Sequence, residues 1–351
     1  MSQKIVKLEA LRGFVAIYVT CAHVFFDKFM DINGYNLSFI WDFGDLGVMI
    51  FFILSGFVIH YSFSRSNDKS FKKYFCKRFF RIYIPLIVVF ITNFIILKSQ
   101  DHYLASFSWK SLVINLLMLQ NIDQPFSNFN PLFNNGPLWS LAYEWWFYMI
   151  YFFVIKFLKN NASYFIYGLA IVSSVACLFY PFFIFRVFVF ITLWWIGTDI
   201  AKLYLNPSKK ISFYNLRFQL AAILLSILIL NIKHVPYSVS SYMISGFFAL
   251  ITGLIWHQLH WKYFDKTIGR FAFFAPISYG IYISHWFLIF QASYLDFIKN
   301  DVIRYSLYFA ICFLFSYIVE RIIYPKLNRF FMRKIGLSNV KANKETTQLP
   351  L

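Results

Sequence analysis

The sequence predicts an all-α, polytopic membrane protein of about ten transmembrane helices with no appended soluble domain. Three observations predict it. Hydrophobic residues make up 60% of the 351 and charged residues only 14%, too little polar surface for a water-soluble domain. The apolar residues gather in runs of about 17 to 20, the length that crosses a hydrocarbon core as a helix. Most of the basic residues stand between those runs and near the C-terminus.

The runs place spans at 10–26, 46–61, 79–97, 138–157, 162–179, 185–201, 218–232, 242–256, 271–290 and 305–323. An apolar stretch at 112–119 is too short to cross. It reads as an interfacial or re-entrant piece inside the longest connection, 98–137. The polar, aperiodic end at 341–351 reads as a disordered tail, so the chain divides into a transmembrane domain, 1–335, and a tail, 336–351. No small-residue cleavage site follows the first apolar run, which is expected to be retained.

Ten spans put both termini on one side. One face of the bundle then carries Lys28, Lys98, Lys110, Arg186, Lys233, Lys299 and Arg304, and the other face carries the rest of the 33 basic residues. By the positive-inside rule the second face, with both termini, is cytoplasmic. The formal charge of +18 therefore reads as a charge against anionic headgroups of the bilayer, not against nucleic acid. Cys21, Cys76, Cys177 and Cys312 sit in or beside different apolar segments with no CxxC pair and no Cys/His ligand spacing, so neither disulfides nor a metal are indicated.

Ionisable residues inside spans are the candidates for chemistry, since each costs on the order of 2.5 kcal/mol or more at membrane depth and normally faces a cavity, a partner or a substrate. The first span holds Arg12 and His23, eleven residues apart, which share a helix face at about 16 Å. In the second, the Ser55-Gly56 step permits close helix approach, and Ser55 can also offer a polar contact to a substrate. Arg78 and Arg81 share a face at a cytoplasmic helix end, a spacing that grips phosphates or simply anchors the helix. Glu144 is a carboxylate about two turns into the aromatic-rich run that starts at Pro137 and includes Trp139. It requires a cation or a proton, and a structural salt bridge is the plain alternative. His285 lies near the outer end of the ninth span, where an ordinary interfacial histidine is the plain alternative, and Glu320 and Arg321 close the tenth on the cytoplasmic side, where simple anchoring is the plain alternative.

Taken in order, these segments resemble the acyltransferase 3 family of integral membrane acyltransferases over nearly the whole chain. The resemblance is carried by the run from Leu8 to Gly13 with the Arg-x10-His spacing to His23, and by Phe-Phe-x-x-Ser-Gly-Phe from Phe51. Arg78-x-x-Arg81 and Leu-Trp-Ser-Leu-x-x-Glu ending at Glu144 continue it. Ser-Tyr-Gly-Ile-Tyr-Ile-Ser-His ending at His285 and Tyr-Ile-Val-Glu-Arg ending at Arg321 complete it. The resemblance implies a ten-helix core, a cytoplasmic acyl-coenzyme A donor with no permanently bound cofactor, and an Arg and a His in helix one that are needed for transfer. It also implies an acceptor at the cell envelope and residence in a bacterial cytoplasmic membrane. Two positions depart from the family's pattern: Met49 and Trp145 stand where many relatives carry acids. Asp45, one turn before Met49, is a candidate replacement.

Read chemically, transfer from a thioester to a hydroxyl needs a base, and a neutral His23 suits that task. Arg12, shared with Arg78 and Arg81, would hold the donor's phosphates, and Glu144 completes the candidate machinery. The acyl group expected is acetyl or another short chain, and the acceptor an envelope glycan or a lipid-linked saccharide. The competing reading is a transporter or lipid-linked sugar flippase in which Arg12, His23 and Glu144 form a relay. Against it, the sequence shows no internal repeat and no matching pair of Gly/Pro-broken helices.

Overall fold

The computed structural model describes residues 3–25, 31–32, 35–36, 43–99, 107–122, 130–236, 238–258 and 263–337. They form a helical bundle, with a two-residue antiparallel pair, β1 (Asp31–Ile32) and β2 (Tyr35–Asn36), between the first two helices. The helices are α1 (Gln3–Phe25), α2 (Gly44–Ser64), α3 (Phe71–Ser99), α4 (Trp109–Leu116), α5 (Leu138–Leu158) and α6 (Ala162–Phe179). There follow α7 (Phe183–Leu205), α8 (Phe213–Leu230), α9 (Val239–Gln258), α10 (Ser278–His285), α11 (Asp301–Tyr317) and α12 (Tyr324–Lys334). Among the described residues, eight helical stretches are long and apolar enough to cross a membrane, and one of them, Leu138–Phe179, holds both α5 and α6. From residue 338 onward, the expected tail lies outside the described residues.

Differences from the hydropathy reading have physical causes. α3 begins at Phe71 rather than at 79 because Lys72, Lys73, Lys77 and Arg78 extend the helix beyond its apolar part, where hydropathy is blind to it. The ninth span is broken. It consists of tight 3-10 turns at Ile268–Phe273 and Ala275–Ile277, then α10, then a π-turn at Trp286–Phe290. Pro276 removes one donor from the backbone ladder there. α4 is only eight residues, about 12 Å long, and cannot cross. Ser108 caps it by accepting from the Ser111 N–H at 3.0 Å. Asn115 ties it to the following loop by accepting from the Leu132 N–H at 2.9 Å.

At the centre stands α7, 78% of whose apolar window is buried, against 28 to 50% for the other stretches. Its Trp194 and Trp195 are fully buried. α2 lies against it backbone to backbone. A Cβ on Gly56 would stand 1.8 Å from the Trp194 carbonyl oxygen, and one on Gly197 would stand 1.9 Å from that of Ile53. Only glycine admits such an approach, and the small Ser-Gly step foreshadows it. α1 meets the 268–273 turn in the same way, since a Cβ on Gly13 would stand 1.9 Å from the Phe271 carbonyl oxygen. These contacts fix α1, α2 and the broken ninth span around one polar interior.

Candidate active site

α1, α2, α3, α5 and α10 enclose a cavity of about 100 Å³. It is lined by Arg12, Ser55, Arg78, Arg81, Ser140, Glu144, Tyr148, Tyr279 and Tyr282, with apolar walls from Val48, Phe51 and Ile59. Five candidates from four helices, Arg12, Ser55, Arg78, Arg81 and Glu144, therefore share one cavity. Three guanidinium groups and one carboxylate in an apolar bundle require neighbours that satisfy them.

Each finds a different solution. Arg81 forms a buried ion pair with Glu320 and lies over the rings of Tyr279 and Tyr324, at 5.3 and 5.1 Å. That is the role the structure gives Glu320. Arg78 donates to Ser62 Oγ at 3.1 Å and lies over Tyr74 and Tyr148, while its buried Nε has no partner among the described residues. Arg12 forms no salt bridge among the described residues, yet it lies in electrostatic range of Arg81, Glu320 and Glu144. Its charge faces the cavity.

Glu144 is held by hydroxyls rather than by a salt bridge among the described residues. Ser55 Oγ donates to its Oε1 at 2.6 Å and Tyr148 OH donates to the same oxygen at 2.5 Å. Ser55 in turn accepts from Trp194 Nε1 at 3.1 Å. Ser55 thus makes a polar contact while its neighbour Gly56 does the packing. Sequence reasoning passed over Tyr148, although its i+4 spacing from Glu144 puts it on the same helical face.

His23 does not line this cavity. α1 is unbroken from Gln3 to Phe25, so His23 lies about 16 Å along the axis from Arg12. There its Nδ1 meets His285 Nε2 at 3.1 Å, with the two rings stacked at 5.2 Å. The network assigns the protons. His285 Nδ1 lies 3.1 Å from the Ile281 carbonyl oxygen, which can only accept, so Nδ1 carries the hydrogen. In the neutral pair His285 Nε2 must then accept and His23 Nδ1 must donate. His23 Nε2 is left with an open lone pair. Two histidines 262 residues apart form one unit that neither position announces.

Tyr282 joins the two places. It lines the Arg12 cavity, bonds Ser140 at 2.7 Å, and its ring lies 6.1 Å from that of His285. Asp45 lies elsewhere, hydrogen-bonded to Tyr242, whose ring packs 4.8 Å from Trp139. Neither Asp45 nor Trp139 borders the Arg12 cavity.

The model of the acyltransferase 3 family, an acyltransferase domain, matches residues 5–321, which contain every residue of this arrangement. Two curated relatives are similar over part of their length. Acyltransferase MdmB of Streptomyces mycarofaciens is 32% identical over 161 residues, 43% of this chain and 40% of that protein. Peptidoglycan O-acetyltransferase OatA of Listeria monocytogenes is 32% identical over 147 residues, 36% of this chain and 22% of that protein. The matches thus span less than half the length of either relative. No solved structure matches the chain. With the family match covering both the Arg12 cavity and the His23–His285 pair, the chain belongs to the acyltransferase 3 family.

Proposed function

We propose that the protein is a membrane-bound O-acyltransferase that moves an acetyl or other short acyl group from cytoplasmic acyl-coenzyme A to a hydroxyl of an envelope carbohydrate or its lipid-linked precursor. It sits in a bacterial cytoplasmic membrane with both termini inside, as the distribution of basic residues favours. The observation that carries this reading is the His23–His285 hydrogen bond, which leaves His23 Nε2 unprotonated and so fit to take a proton.

The donor enters from the basic end. Arg12 and Arg78 hold its phosphates, because among the described residues Arg78 has an unspent N–H and Arg12 forms no salt bridge, whereas Arg81 is bound to Glu320. Its thin pantetheine arm runs toward His23, past Tyr282. The acceptor hydroxyl arrives from the opposite end. His23 Nε2 takes the hydroxyl proton as the oxygen attacks the thioester carbonyl carbon. The tetrahedral intermediate then breaks its carbon–sulfur bond, and the departing thiolate takes the proton back from His23, leaving an ester and free coenzyme A. Glu144, fixed by Ser55 and Tyr148, supplies a negative charge near Arg12 that orients the guanidinium.

The test is chemical analysis of envelope glycans from a deletion strain and from the same strain carrying the gene. Alkali-labile acyl esters lost in the first and restored in the second are expected. Identical ester content in both would refute the assignment.

A further inference from the structure

A second and larger cavity, of about 480 Å³, lies between α1, α2, α7 and α9. It shares a single wall residue, Leu54, with the Arg12 cavity, and none of the groups assigned to acyl transfer lines it. Its volume falls in the range of sites that hold a small molecule. The walls are mostly apolar, with Phe14, Ile50, Ile53 and Leu250 among them, and the charged residue that lines it, Lys7, stands at one end. Phe14 lies seven residues beyond Lys7 on α1, so the apolar part runs on for about 10 Å. Such walls give water few partners and favour hydrocarbon.

α9 leaves this space open. Gly253 lines the cavity, and a Cβ on it would meet nothing within 4 Å. A glycine inside a helix weakens it, and the backbone contacts that require Gly56 and Gly197 have no counterpart at Gly253. Gly168 is equally uncrowded, but it is exposed on α6 and lines neither cavity. Thr252, next to Gly253 in the wall, is exposed, so the cavity reaches the side of the bundle, where lipid lies.

The charged end is basic. Lys7 is half-buried, with its ammonium 5.7 Å from the Trp256 ring and 5.5 Å from that of Phe264, and it forms no salt bridge among the described residues. Lys210 directly precedes the wall residue Ile211, and Lys266 and Arg270 stand two residues to either side of the wall residue Ile268. All three are exposed. A basic rim over an apolar slot is complementary to an anionic headgroup over a hydrocarbon chain.

We propose that this cavity is a lipid site, which holds one acyl chain of an anionic phospholipid of the cytoplasmic leaflet with its phosphate on Lys7. A lipid-linked acceptor does not fit, because Lys7 lies 16 residues, about 24 Å, from His23 along α1. A saccharide on a phosphate at Lys7 would stand at the wrong end of the bundle for that base. The chain instead backs the Leu54 wall of the Arg12 cavity.

The test is native mass spectrometry of the full-length protein, released from detergent in the presence of dioleoyl phosphatidylglycerol or dioleoyl phosphatidylcholine. Wild type should retain phosphatidylglycerol in preference to phosphatidylcholine. Lys7→Gln should weaken phosphatidylglycerol about fivefold, the worth of about 1 kcal/mol for one basic residue, and narrow the preference. Gly253→Leu should plug the cavity and abolish retention of both lipids, and Gly253→Met does the same with a more flexible chain should the Leu variant not fold. Equal retention of the two lipids by wild type would overturn the site, and so would undiminished retention in a folded Gly253 variant. A polyprenyl phosphate held more tightly than phosphatidylglycerol, and lost in the same variants, would overturn the phospholipid in favour of a lipid-linked substrate.

Discussion

Replacing His285 by Leu leaves a buried, apolar side chain in a fully buried place, so the packing around α10 survives while the acceptor for His23 Nδ1–H disappears. Without it, His23 no longer favours the tautomer that bares Nε2. One neutral hydrogen bond is worth about 1 kcal/mol, which sets a lower bound of about fivefold on the loss of kcat. General-base catalysis contributes about 10²- to 10⁴-fold, and part of that survives in the correctly protonated fraction, so a loss near the lower bound of that range is the ceiling. The expected fall is thus about five- to a hundredfold, in kcat and not in acetyl-coenzyme A affinity. His285→Gln supplies an amide oxygen in place of Nε2 and should recover most of it. Initial rates of acetyl transfer in nanodiscs, with donor affinity measured by calorimetry, decide the matter. Wild-type kcat in His285→Leu, or a Gln variant no better than Leu, would refute the tautomer argument.

Other outcomes follow from the same geometry. Arg81→Gln should destabilise the protein by about 3 kcal/mol by stranding buried Glu320, and adding Glu320→Gln should recover most of the loss in thermal unfolding in detergent. Gly56→Ala should cost about 1 to 3 kcal/mol by forcing α2 off α7, with expression and melting temperature as readouts. Lys73→Cys, in a background lacking the four native cysteines, should be labelled only from the cytoplasmic side, and labelling from outside would reverse the orientation.

How much of this was legible in the sequence depends on the range of the interaction. Spans are local, and 162–179 coincides with α6 residue for residue. The Ser55-Gly56 step announced a close contact because only a small residue permits one. The family motifs brought Arg12, Ser55, Arg78, Arg81 and Glu144 forward, and the fold gathers all five in one cavity. What hydropathy cannot express is the break in the ninth span, where 3-10 and π turns keep the same apolar composition as a helix. Nor can linear spacing express pairs made across the fold. Arg81 and Glu320 are 239 residues apart, and each alone reads as a membrane anchor. His285 alone reads as an interfacial histidine, and its partnership with His23 exists only once α1 and α10 are packed.

The most direct test of His23 as the base is to purify His23→Ala and wild type in nanodiscs, confirm that both melt alike, and measure acetyl-coenzyme A affinity separately from acetyl transfer to the unacylated glycan. Transfer should fall by at least about 10²-fold while donor affinity stays within error, because only the proton acceptor is missing. Near-normal transfer would contradict a base at His23, and lost donor affinity would move the histidine from proton transfer to donor positioning.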